Sequence, residues 1–168
     1  TRIISLFSMI DCLIPARGGS KGIPKKNIIK INGVPLIAFS IEIAKRSDFV
    51  KKVFVSTDCA EIAEVAKKFG AEVPFMRPPN LATDTATDKD VFIHFFNKMD
   101  ELNYKVSNKV LHLRATSPGR DLQIVNQAID KYLKSGNFSS LRSAHKTDLV
   151  PYKWFKKIGN NFSTYFST

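Results

Sequence analysis

Apolar positions along the chain fall into two alternating rhythms. Short, mostly apolar runs occur at Ile10 to Ala16, Val53 to Ser56, Glu72 to Phe75 and Lys109 to Leu113. Their length and β-branched content predict buried strands. Between them lie stretches where apolar residues recur every three or four positions, the spacing of an amphipathic helix. Pro35 to Ser47 places Leu36, Phe39 and Ile43 on one face, and Asp121 to Ser135 does the same with Leu122, Val125, Ile129 and Leu133. Thr87 to Asn103 aligns Phe92, Phe95, Phe96, Met99 and Leu102, an aromatic stripe read as core. Ala60 to Phe69 is a shorter helix stopped by Gly70, and Pro35 suits a first helical turn. Ser139 to Ser143 is a candidate fifth strand.

Such alternation predicts an α/β fold, a Rossmann-like, mostly parallel sheet with helices on both faces. In these sheets ligands bind where loops leave the carboxyl ends of the strands. The loops after the first, third and fourth predicted strands carry Arg17/Lys21/Lys26, Arg77/Asp84/Thr85 and Arg114/Thr116/Ser117. The chemically loaded loops thus fall on the expected edge. After Pro151 the pattern changes: Tyr152 to Phe162 mixes aromatic and basic residues around Gly159-Asn160-Asn161, as a hairpin does. Residues 9–150 are therefore read as one α/β domain and 151–168 as the start of an extension, with the domain incomplete at its C-terminus. Met9 is a plausible native start, which would leave 1–8 as upstream sequence.

Composition narrows the partners. Lys and Arg total 26 against 15 acids, a net charge of +11, which suits polyanions or small phosphate- and carboxylate-bearing substrates. The strongest basic cluster sits in a glycine loop rather than along a helix face, and no aromatic stacking motif accompanies it, so nucleic acid is not the expected partner. No apolar stretch approaches the roughly 20 residues of a membrane helix, so no membrane association is expected. Cys12 and Cys59 belong to no CxxC or Cys/His cluster. Cys12 is read as a small core residue, structural zinc is not expected, and a cytoplasmic location is.

The sharpest local signal is Pro15-Ala16-Arg17-Gly18-Gly19-Ser20-Lys21-Gly22-Ile23-Pro24-Lys25-Lys26-Asn27. A strand ends and a glycine turn follows, whose N–H groups at Gly18, Gly19 and Ser20 can face an anion without side chains intervening. Arg17 and Lys21 add charge able to hold a triphosphate, Lys26 returns toward the same anion, and Asn27 offers donor and acceptor atoms to a sugar or base edge. The spacing matches neither GxxxxGK[ST] nor GxGxxG, so neither a P-loop nor a dinucleotide-binding turn is supported.

This run resembles the signature of the acylneuraminate cytidylyltransferases, the CMP-sialic acid synthetases. Further pieces resemble the family in order: Val55-Ser56-Thr57-Asp58; Gly70 to Phe75 with Arg77-Pro78 and Leu81 to Ala86; and Ala115-Thr116-Ser117-Pro118 with Arg120. The likeness covers about residues 9–150. It implies a nucleotide-diphospho-sugar transferase fold and an enzyme that moves CMP from CTP to the anomeric hydroxyl of an acidic nine-carbon sugar, releasing pyrophosphate. It implies phosphate contacts from Arg17, Lys21 and Lys26, nucleotide contacts from Asn27, Arg77, Asp84 and Thr85, and a sugar-facing segment at Arg114, Thr116 and Ser117. Mg²⁺ and a homodimer are also implied, the dimer through the extension bearing Trp154, Phe155 and Phe162. Two positions depart from the pattern: Arg114 stands where glutamine is common and Asp88 where serine is. The family's metal-binding aspartates lie in a C-terminal segment beyond this sequence, so the metal ligands are unknown.

Several residues have plainer readings. Asp58 is read as the cap of the helix starting near Ala60, with Glu61 completing a capping box, in preference to a metal ligand. Thr87 with Asp90 forms a cap, and Ser117-Pro118 is a second candidate cap. His94 reads as a packed or edge histidine and His112 as structural on a buried strand, leaving His145 as the histidine worth testing. Rival functions are transfer to a different sugar or from another nucleotide, and a truncated nucleotide-binding module without turnover.

Overall fold

The computed structural model describes residues 9–20, 22–136 and 139–144, together with the backbone of 155–158 and 161–164. The chain divides into two compact units, 1–138 and 139–168. The expected domain boundary at 150/151 falls inside the second.

In the first unit β1 (Ile10–Pro15) is followed by a glycine-rich loop, a 3-10 turn at Lys26–Ile28 and a small hairpin, β2 (Lys30–Ile31) and β3 (Val34–Pro35). Asn32 and Gly33 turn that hairpin with φ of 49° and 81°, the left-handed pair that a two-residue turn needs. The Asn-Gly pair between Ile31 and Val34 is the hairpin's signal in the sequence. Next come α1 (Leu36–Lys45), β4 (Val50–Ser56), α2 (Ala60–Lys68), α3 (Asp88–Glu101), β5 (Val110–His112) and α4 (Leu122–Ser135). All four expected helices form.

β1 is central because its run offers no polar face to solvent: Ile10 to Ile14 are all buried, Asp11 included. β4 and β5 flank it, both parallel, in the order β4-β1-β5. Successive residues face opposite sides. Cys12, Ile14, Val53 and Val55 meet Ile37 and Ile41 of α1, Ile62 of α2 and Ile129 of α4. Leu13 and Phe54 meet Phe95 and Met99 of α3 on the other side. Helices therefore cover both faces, as expected, and Cys12 is a core residue whose thiol pKa burial drives up. The rings of Phe54 and Phe95, both wholly buried, lie 5.2 Å apart. Truncating either would cost on the order of 3–5 kcal/mol, a large share of a domain's margin.

Two expected strands are corrected. The third shrinks to one parallel bridge between Phe54 and Glu72. Glu72 N–H donates to Val53 O at 2.8 Å and Val55 N–H donates to Glu72 O at 2.9 Å. The next donor on that ladder would be residue 74, a proline with no N–H, so pairing stops. Residues 139–144 form no strand; only Leu141 and Ala144 are apolar there, too few to build a buried face. In the second unit β6 (Phe155–Ile158) and β7 (Asn161–Thr164) pair antiparallel, the expected hairpin.

Connectivity creates the crevice. The chain winds outward from β1 to β4 and the Glu72 bridge, then returns to β5 on the other side of β1. Winding reverses between β1 and β5, so the loops leaving their carboxyl ends diverge and leave a gap. Thr87 and Asp90 fix the start of α3 above that gap by a reciprocal capping box, with Asp90 N–H donating to Thr87 Oγ1 at 3.2 Å and Thr87 N–H to Asp90 Oδ2 at 2.9 Å. The Thr87 hydrogen bonds hold the Asp90 carboxyl below the ordinary aspartate value of 3.8. Its contribution is thus complete above that value and lost as pH falls through the lowered one. Asp90→Asn should flatten the acid limb of a stability-against-pH curve below 3.8; an unchanged limb would discard the box as its cause.

Candidate active site

The glycine loop is anchored from below rather than left free. Asn27, buried, donates from Nδ2 to Arg17 O at 2.8 Å and ties the loop's far end to its start. Lys25 Nζ reaches Glu61 of α2 at 2.5 Å. Gly18 N–H donates to Asp58 Oδ1 at 2.8 Å, and Gly18 lies so close to Cys59 that a Cβ there would be 2.9 Å from Cys59 Cβ. Asp58 is therefore not the cap of α2. Cys59 holds the cap position without a side-chain bond, Glu61 pairs with Lys25, and the Asp58 carboxylate is committed to the loop. The capping pattern in the sequence is real in form, but a tertiary donor forty residues away (|i−j| = 40) claims the acid.

Arg77 is the centre of the crevice. Its side chain is only 4% exposed, and its backbone N–H donates to Thr57 O at 2.7 Å, continuing from the end of β4. Its Nε and Nη2 find no hydrogen-bond acceptor, and the Asp58 carboxylate stands 3.9 Å from Nη2. Burial, chiefly, pulls this guanidinium below the ordinary arginine pKa, with Asp58 opposing and Arg17 adding to the fall. Buried donors to which nothing accepts cost about 1–3 kcal/mol each, more when charged. An anion entering the crevice would recover that.

Around Arg77 opens a cavity of about 440 Å³ between the loops that follow β1 and β5 and the segment leading into α3. Arg17, Ser20, Lys26, Asn27, Arg77, Asp84, Arg114 and Thr116 all line it, so eight of the expected site residues converge. A second lobe of about 300 Å³ shares Arg17, Ser20 and Asp84 with it and adds Gly19. Arg17 Nη2 meets Asp84 Oδ1 at 2.6 Å, and Arg114 Nη2 meets Asp88 Oδ2 at 2.7 Å. Three expected residues are placed elsewhere. Gly18 serves the Asp58 anchor. Thr85 Oγ1 shares a hydrogen bond with Thr83 Oγ1 at 3.1 Å in the turn before α3. Ser117 offers its carbonyl to Arg120 at 2.6 Å and caps nothing, since Asp121 caps α4. Lys21 and His145 lie outside the described residues.

The structure adds participants that the sequence does not single out. His112, expected to be buried, ends β5 partly open to the cavity, 5.1 Å from the Phe92 ring and 4.0 Å from Asp88. β5 is short, so its last residue already belongs to the crevice. Arg120 fastens the β5 loop from behind: Nη2 donates to Arg114 O at 2.9 Å and Nη1 to Ser40 Oγ at 2.9 Å, while Ser40 Oγ donates to Arg114 O at 3.0 Å. His94 packs edge-on against Phe75 at 5.3 Å, away from this chemistry, and burial lowers its pKa. Among the described residues no three His, Cys, Asp or Glu side chains form a set that could hold a metal ion. None of the described helices is long and apolar enough to cross a membrane.

Comparison with known proteins agrees with this architecture. A family model described as Cytidylyltransferase matches residues 12–152. Pseudaminic acid cytidylyltransferase of Campylobacter jejuni is 43% identical over 124 residues, covering 74% of this chain and 53% of that protein. CMP-N,N'-diacetyllegionaminic acid synthase of Legionella pneumophila is 36% identical over 149 residues, covering 89% of this chain and 62% of that protein. The chain thus spans about half the length of the first of these curated relatives and somewhat more of the second. Among solved structures, a CMP:2-keto-3-deoxy-manno-octonic acid synthetase complexed with CTP superposes with a TM-score of 0.65 at 22% identity, over 77% of this chain and 49% of that one. The last likeness is one of fold.

Proposed function

The chain belongs to the cytidylyltransferase family, and from that premise we propose that it moves CMP from CTP to the anomeric hydroxyl of an acidic nine-carbon sugar of the sialic-acid type. The observation that carries this reading is Arg77, a buried guanidinium with two donor nitrogens unmet, aimed into a crevice also lined by Arg17 and Lys26. A triphosphate supplies the acceptors such a group lacks. Relatives named for acidic sugars, pseudaminic and legionaminic acids among them, support the acceptor.

The chemistry is one displacement at phosphorus. The anomeric oxygen attacks the α-phosphorus, a P–O bond forms, the α–β anhydride bond breaks, and pyrophosphate leaves with the electron pair. The hydroxyl proton passes to solvent. Negative charge grows on the leaving pyrophosphate, and Arg77, Arg17 and Lys26, which line the crevice, stabilise it by proximity. Gly19 and Ser20 line the second lobe, and backbone N–H groups of such a glycine loop suit the phosphate tail. Arg114 and Thr116, at the β5 side, face the sugar. Mg²⁺ belongs to this proposal; bound with CTP it would offset part of the triphosphate charge, and among the described residues no three His, Cys, Asp or Glu side chains form a set for it. A cytoplasmic homodimer, joined through residues beyond 150, completes the proposal.

CTP with N-acetylneuraminic acid or another acidic nine-carbon sugar should release pyrophosphate. CTP-dependent thermal stabilisation without pyrophosphate release would leave a nucleotide-binding module instead. Arg120 gives a finer test, because among the described residues its hydrogen bonds go to the carbonyls and the hydroxyl behind the β5 loop. Arg120→Lys cannot bridge all three acceptors. The sugar KM should rise about three- to tenfold while the KM for CTP stays within about twofold. Equal rises in both would mean that Arg120 supports the fold at large.

A further inference from the structure

Two of the three arginines in the crevice are already held by carboxylates from the facing wall. Arg17 and Arg114 leave the sheet edge after β1 and β5, while Asp84 and Asp88 come from the segment that enters α3. The Arg114–Asp88 pair, 2.7 Å long, is open to solvent, with side chains 68% and 44% exposed. Exposed pairs of this kind add little to folding stability. What this one does is place a carboxylate on Arg114 in the position that a ligand carboxylate would take. The displaced group would not be stranded. Asp88 sits in the first turn of α3, where the helix dipole favours negative charge, and His112 Nε2 is 4.0 Å from its Oδ2.

We infer that Asp88 is a built-in counter-ion of Arg114, and that the acidic sugar binds by exchanging its own carboxylate for that of Asp88. This rests on the reading of the crevice as a site for CTP and an acidic sugar. The exchange makes recognition a competition between like groups. A carboxylate presented in register by a sugar held at Thr116 wins, whereas a hydroxyl or amide cannot replace a full charge on Arg114. Asp88 is thus a specificity-determining residue: it lowers affinity for every anion at Arg114 and leaves only a well-placed carboxylate able to enter.

The test uses N-acetylneuraminic acid and the corresponding neutral amide as acceptors, with the wild type, Asp88→Asn and Arg114→Gln. Asp88→Asn removes the competitor while keeping its shape, so the KM for the acid should fall about three- to tenfold and that for the amide should hold. Arg114→Gln should raise the KM for the acid about tenfold or more, again without moving the amide. CTP-dependent thermal stabilisation retained in both variants shows that each is folded. A KM for the acid that stays level or rises in Asp88→Asn overturns the exchange, because Asp88 would then be orienting Arg114 rather than competing for it. So does an Arg114→Gln effect equal for acid and amide. If the wild type binds CTP yet releases no pyrophosphate with any acidic sugar, the transferase reading falls and takes this inference with it.

Discussion

Arg77→Met should make the unliganded protein more stable and its ligand binding much worse. The substitution removes a buried charge whose Nε and Nη2 meet no acceptor and puts a flexible apolar chain of similar length in its place. Replacing buried charges with packed apolar groups is commonly neutral or stabilising by about 1–4 kcal/mol; here the attraction lost is chiefly that of Asp58 at 3.9 Å, with Asp88 adding less, and Asp58 keeps its bond from Gly18 N–H. The backbone bond from Arg77 N–H to Thr57 O survives any side chain. Urea unfolding without ligand should therefore show a midpoint equal to or above that of the wild type. With CTP the ordering reverses. Losing a charge-assisted contact in a desolvated site typically costs about 2–5 kcal/mol, so CTP affinity should drop roughly 30-fold or more and turnover with it. A variant that unfolds more easily than the wild type in the absence of CTP would show that Arg77 is a structural cation, and the site would lose its centre.

That opposition between stability and binding explains the charge pattern of the crevice. Arg17 and Arg114 rest against Asp84 and Asp88, which satisfy them at the exposed rim. Of the three arginines that line the crevice, the buried Arg77 keeps two nitrogens without an acceptor. The rim can exchange partners at small cost because both its members remain solvated, whereas the interior position is set to gain most when an anion arrives. Functional sites commonly keep such locally unfavourable groups, and the core built around Phe54, Phe95, Ile37 and Ile62 supplies the margin.

Much of this architecture is legible in the sequence, for reasons that can be traced to particular residues. β1 and the four helices follow from periodicity. The crevice follows from the rule that loops at strand carboxyl ends carry ligands, once Arg17, Arg77 and Arg114 are seen to share that edge. What the sequence hides depends on one local atom or on distant pairing. Val73 and Phe75 alternate as a strand does, but Pro74 removes the N–H that would extend pairing beyond Glu72. Asp58 has the right spacing for a cap, yet the donor that takes it, Gly18 N–H, is remote in sequence. The Arg17–Asp84 and Arg114–Asp88 pairs span 67 and 26 residues, so no window of periodicity contains them. Both arginines and one of the aspartates stand out in the motifs. Only the fold can say that arginine and aspartate hold each other.

Gly18→Ala is the second decisive substitution, and it tests whether the loop works because of where it is pinned. A methyl group there would lie 2.9 Å from Cys59 Cβ and 3.5 Å from Cys59 Sγ. Cys59 Cβ is bonded directly to the chain at the start of α2, so no side-chain rotation can move it aside. The loop must lift, and lifting it breaks the 2.8 Å bond from Gly18 N–H to Asp58, the carboxylate that also stands nearest Arg77. Arg17, the next residue back, moves with it. Since misplacing a binding group by about 1 Å can cost on the order of a hundredfold, kcat/KM should fall by about that factor, with a modest loss of stability. Removing the obstacle should undo the damage. In Gly18→Ala/Cys59→Gly no Cβ remains at 59, and glycine is well tolerated at a helix cap, so most of the activity should return. Gly18→Ala/Cys59→Ala keeps the offending carbon and should remain as impaired as Gly18→Ala alone. If alanine at 59 rescues as well as glycine, the sulfur rather than the backbone-borne carbon sets the limit, and the close approach at Gly18 is not what holds the loop in place.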